Sequence, residues 1–147
     1  MDWKRVLNRL TGTLFVAAFL CGWTAAGQAP AANEVWKDSA TGLTWAVKDN
    51  GSNINQTQAS EYCDNLDLGG FQDWRLPTID ELEGLYDSSV SKPYKAKGPI
   101  ELSEPSIWSS TTNNSGEVWS FYFTYGGKSV SRGSGHGNPG RALCVRR

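Results

Sequence analysis

The chain has 147 residues, 20% of them charged, and a formal net charge of −1. That length is one domain's worth, because single cores occupy about 100–200 residues. A near-neutral, slightly acidic balance argues against nucleic acid as a partner.

The first 26 residues read as an export signal. Lys4, Arg5 and Arg9 precede an apolar run from Leu10 to Trp23, and Thr24-Ala25-Ala26 offers the small residues a signal peptidase reads. The run is shorter than the ~20 residues that cross a bilayer, so no stable membrane insertion is expected after cleavage. Cys21 follows the bulky Leu20, which disfavours lipid attachment there. Cleavage after Ala26 removes three bases and one acid, leaving eleven bases against fourteen acids, net −3. The product is expected in the periplasm, at the cell surface or in the medium.

Residues 27–33 are small and periodless and read as a flexible lead-in, so the folded domain is placed at 34–147. Val35-Trp36 and residues 43–47 are β-prone runs about a turn-favouring stretch, 38–42, which predicts a hairpin. Ala59, Tyr62, Cys63 and Leu66 then share one helical face, behind Asn55 as N-cap with Gln58 three residues on; Gly69-Gly70 is read as the stop. A second helix is announced by Pro77, with Thr78 as cap and Glu81 completing a capping box; its apolar face is Ile79, Leu82, Leu85 and Tyr86. Residues 87–106 show no period and read as a long loop.

From Trp108 onward the pattern is β. Residues 118–125 alternate, with Trp119, Phe121, Phe123 and Tyr125 on one face, and Gly126-Gly127 predicts a two-residue turn into 128–131. The glycine-rich stretch 133–140 is a second irregular loop, and 142–146 a final strand. The order predicts an α+β fold with two helices packed on antiparallel sheet.

Once the leader is removed, Cys63 and Cys144 are the only cysteines, which in an exported chain reads as one disulfide from the first helix to the last strand. The alternative is a pair of buried thiols. A link across 81 residues stabilises by about 4–5 kcal/mol on the loop-entropy model.

Five stretches stand in a familiar order: Thr41-Gly42-Leu43-Thr44-Trp45, residues 59–66 with their cysteine, Trp74-Arg75-Leu76-Pro77-Thr78 followed by Glu81-Leu82, Trp108-Ser109-Ser110-Thr111, and Cys144-Val145-Arg146. Together they resemble the Lcl C-terminal domain family, first catalogued as a domain of unknown function and related to C-type-lectin-like folds. The resemblance covers about residues 35–147. It implies a C-type-lectin-like domain whose termini meet in one sheet and, from the family's founding adhesin, binding of sulfated polysaccharides.

Trp74, Arg75, Thr78, Glu81 and Trp108 are read as structural, with Arg75 paired to a carboxylate. A zinc site lacks ligands, since His136 is the only histidine. Glu104-Pro105-Ser106 and Trp108-Ser109-Ser110 stand where sugar-binding C-type lectins carry the amide and carboxylate ligands of calcium, and they lack them. No metal or other cofactor is expected. All fourteen acids of the mature chain lie between residues 34 and 117, whereas Lys128, Arg132, Arg141, Arg146 and Arg147 occupy an acid-free C-terminal segment. Lys128, Arg132, His136, Asn138 and Arg141 are therefore the candidate ligand-binding residues.

The leading expectation is a non-catalytic binding module for an anionic extracellular polysaccharide or a surface protein. Two others stay open. One is a variable ligand-display protein of the same fold, in which Ser, Asn, Tyr and Gly of 109–140 meet proteins. The other is a serine hydrolase using Ser109 or Ser110 with His136.

Overall fold

The Thr78 hydroxyl accepts from the Glu81 amide at 3.2 Å while the Glu81 carboxylate accepts from the Thr78 amide at 2.8 Å. This reciprocal cap starts a helix at the position foreseen, because it satisfies two N–H groups that no helical carbonyl reaches. The computed structural model describes residues 34–131 and 139–147. The leader (1–26), the lead-in (27–33) and Arg132, His136 and Asn138 lie outside the described residues.

In chain order the elements are β1 (Val35–Lys37), β2 (Thr44–Ala46), α1 (Gln56–Asp64), α2 (Ile79–Leu85), β3 (Ser106–Thr112), β4 (Val118–Tyr122), β5 (Gly127–Ser131) and β6 (Val145–Arg146). The fold is α+β, with two small antiparallel sheets, β1-β2-β6 and β3-β4-β5. The strands nearest the two ends of the described chain flank β2, an arrangement compatible with a C-type-lectin-like domain. Arg75 exchanges both backbone hydrogen bonds with Val145 at 2.9 Å, so the segment ahead of α2 widens the first sheet beyond β6.

The core has two parts. One joins β2, α2, β4 and the turn after it through Trp45, Leu82, Leu85, Phe121 and Phe123, all essentially buried. The rings of Phe121 and Phe123 meet edge-on at 4.9 Å, a geometry that adds about 0.5–1.5 kcal/mol beyond area burial. The other part surrounds Ala59, Trp74, Trp108 and the Cys63–Cys144 disulfide, whose Cα atoms lie 5.4 Å apart. The helix-to-C-terminus link read from the sequence is present.

Several expectations are corrected. Helix α1 ends at Asn65, with φ −99°, and the positive-φ Gly69 and Gly70 belong to the turn beyond it. Tyr62 is 40% exposed despite its place on the apolar face. Strand β4 stops at Tyr122, and residues 123–126 make the turn. The Gly126 amide closes that turn on the Tyr122 carbonyl at 2.9 Å, and only Gly126 of the glycine pair has positive φ. Tyr125 therefore leaves the sheet, is 67% exposed, and stacks on Tyr122. The last strand is shorter than 142–146, because the Ala142 amide and carbonyl are taken by Asn50.

Candidate functional site

Of the five candidate ligand residues, Lys128 and Arg141 are described. Gly140 positions Arg141: a Cβ there would meet the Trp108 indole nitrogen at 2.7 Å, so only glycine lets the chain pass this close. Residue 141 then lies along β3, its amide donating to Ser106 O at 2.9 Å and its carbonyl accepting from Trp108 at 3.0 Å. The Arg141 side chain is 11% exposed, with Nη2 3.8 Å from Glu104 Oε1. Its Nε and Nη1 are buried and have no hydrogen-bond partner among the described residues.

Lys128 is placed elsewhere. Its ammonium donates to Glu83 Oε2 at 2.8 Å and lies 3.7 Å from Asp80, both on α2. The hydrogen bond to Glu83 raises its pKa above the usual lysine range. Arg141, Ile107, Phe121 and Lys128 stand in register across the second sheet. Three strand spacings separate the two bases by about 14 Å. They do not form one patch. Arg146 is also committed, with Nε 2.6 Å from Asp73 Oδ1 and its guanidinium 3.8 Å over the Phe71 ring.

The residues read as structural make internal contacts. Trp74 Nε1 donates to Phe71 O at 3.0 Å, Trp108 Nε1 donates to Ile54 O at 2.8 Å, and Arg75 grips Glu81 with two bonds of 2.7 and 2.8 Å. The serine hydroxyls are engaged by backbone: Ser109 Oγ donates to Trp119 O at 2.9 Å and Ser110 Oγ to Pro77 O at 3.2 Å. Among the described residues no three His, Cys, Asp or Glu side chains gather in a way that could hold a metal ion.

The sequence model of the Lcl C-terminal domain matches residues 34–146. The chain belongs to the Lcl C-terminal domain family. No curated protein matches it in sequence. The matched span takes in every strand and helix described above and both cysteines of the disulfide.

The long loop of this Lcl C-terminal domain holds residues that sequence reasoning passed over. Lys92 donates to the carbonyls of Gly98 and Ile100 at 2.7 and 2.9 Å, Lys95 to those of Ser88 and Val90 at 3.3 and 3.2 Å, and Lys97 to that of Gly84 at 2.6 Å. Lys92 and Lys95 thus satisfy loop carbonyls that no strand reaches, and Lys97 satisfies one at the C-terminal end of α2. Ala96 and Ile100 are buried beneath, and the Asp49 carboxylate accepts from the Ser103 amide and hydroxyl at 2.6 Å each. The loop has little regular structure and a fixed path. Its one sequence signal was three lysines and three acids without a period, which a loop of any shape could carry. No helix among the described residues is long and apolar enough to cross a membrane.

Proposed function

We propose that this domain is an extracytoplasmic binding module that recognises an anionic polysaccharide or a cell-surface protein, with Arg141 as its anion contact. The observation that carries the reading is the sealed Arg141 guanidinium, whose Nε and Nη1 lack partners among the described residues. Unmet buried donors are costly, and a sulfate or carboxylate oxygen admitted to the guanidinium would give Nε or Nη1 the acceptor it lacks; the two face different sides of the group, so each needs its own oxygen. The leader sequence and the Cys63–Cys144 disulfide support an oxidising compartment. The pinned loop 87–105 supports recognition rather than flexible tethering, since ordered loops lose little entropy on binding.

The test is an array of sulfated, uronic-acid and neutral glycans probed at two salt concentrations, with and without chelator. Binding should favour the anionic members and fall with salt. Arg141→Gln should weaken it about tenfold or more, and Arg141→Lys less. Lys128→Ala should leave it nearly unchanged, since Glu83 and Asp80 already balance that charge. Binding that ignores salt or Arg141, or no binding at all, counts against the reading.

A further inference from the structure

Tyr62 near the end of α1 and Leu66 just beyond it, with Val47, Leu68, Glu34 and Asp49, line a cleft of about 310 Å³. It shares no lining residue with the Arg141 and Glu104 contact. The exposure of Tyr62 has its cause here, because the ring stands over the cleft instead of the core. A cavity of about 150 Å³ holds benzene, so this one has room for an aromatic ring and a short chain, about ten non-hydrogen atoms.

The walls are mostly apolar and the rim is charged. Lys48 also borders the cleft, but its ammonium is exposed and 3.8 Å from Glu101, which is not among the lining residues. Asp49 is held in place by hydrogen bonds from Gly51 and Ser103, which orient its carboxylate and leave its charge. Glu34 is exposed beside it in the lining. Burial and then the Asp49 charge raise the Tyr62 phenol above its usual range, so the negative field of the rim reaches the ring. Apolar walls with two carboxylates against one ammonium already paired favour an apolar cation and repel an anion.

We infer that this cleft binds a small organic amine, its apolar body against Val47, Leu66, Leu68 and the Tyr62 ring and its ammonium donating to Glu34 and Asp49. This is a second site, independent of the anion contact proposed above. The discriminating experiment titrates the isotope-labelled protein at neutral pH with phenethylamine, 2-phenylethanol and 3-phenylpropionate, following the amide resonances of Val47, Leu66 and Leu68. The three probes share a shape and differ in charge. The amine should give saturable shifts confined to these residues, the alcohol should bind at least about threefold more weakly, and the carboxylate more weakly still. Glu34→Gln should weaken the amine about twofold to fivefold and leave the alcohol unchanged, with the rest of the amide spectrum preserved. Equal binding of the three, shifts elsewhere, or no saturation overturns the inference. So does tighter binding of Nα-acetyl-lysine N-methylamide than of phenethylamine, which would make the natural occupant a lysine of a protein.

Discussion

Arg75 and Glu81, six positions apart, meet as a two-bonded fork, Nη1 to Oε2 at 2.8 Å and Nη2 to Oε1 at 2.7 Å. The same carboxylate caps α2 through the Thr78 amide, so one side chain ties the start of the helix to the segment paired with β6. The hydrogen bond from Arg75 holds the Glu81 carboxyl below its usual range. A carboxylate with a depressed folded-state pKa contributes stability that is complete above its unfolded value, about 4.3, and is lost as pH falls through the folded one. Glu81→Gln should therefore cost about 1–3 kcal/mol at pH 7. Urea unfolding of both proteins at pH 7 and pH 3 checks this, and the gap should narrow at the lower pH. A gap that stays constant would mean the ion pair is not its source.

The disulfide closes a loop of 81 residues between α1 and the residue just ahead of β6. On the loop-entropy model, removing it costs about 4–5 kcal/mol. Cys63→Ser should lower the denaturation midpoint strongly, and reductant should do the same to the parent while leaving the variant unaffected. Intact mass after alkylation without reductant should show no modified cysteine in the folded protein.

What the sequence disclosed was local. Asn55 with Gln58, and Thr78 with Glu81, announce helix starts because a cap is made within four residues, and both boxes are present. The cysteine pair was readable because residues 34–147 hold only two. Tyr62 was misplaced because periodicity reports which residues share a face, not what that face meets. Lys128 and Arg141 are 13 positions apart and both basic, yet two intervening strands part them, and strand order carries no signature in composition. The lysines of the long loop escaped notice for a related reason: an ammonium that serves backbone carbonyls leaves no pairing acid in the sequence to find.

Gly98 and Gly84 make opposed predictions. Gly98 has φ +61°, and a Cβ there would meet the Trp36 ring at 2.7 Å. Gly98→Ala must bear both left-handed backbone and a clash with a rigid indole, so it should destabilise by about 1–3 kcal/mol. Gly84 lies in α2 with negative φ and open space around its Cβ position. Gly84→Ala should stabilise by about 0.5–1 kcal/mol through helix propensity and a less flexible unfolded chain. Thermal melts that move in the same direction for both would contradict this account of the two backbones.

Trp45 and Trp108 are equally buried but differ in one atom's fate. Trp108 Nε1 donates to Ile54 O at 2.8 Å, whereas Trp45 Nε1 is buried with no hydrogen-bond partner among the described residues. Phenylalanine leaves a smaller ring at either site and so a similar packing loss. At 108 it also strands the Ile54 carbonyl, at a further cost of about 1–3 kcal/mol, while at 45 it removes a donor whose desolvation was never repaid. Trp108→Phe should therefore be the more destabilising substitution by about 1–3 kcal/mol in denaturant unfolding. If Trp45→Phe proves the costlier, the Trp45 N–H has a partner in solution, and an acceptor bound at its ring is the first thing to seek.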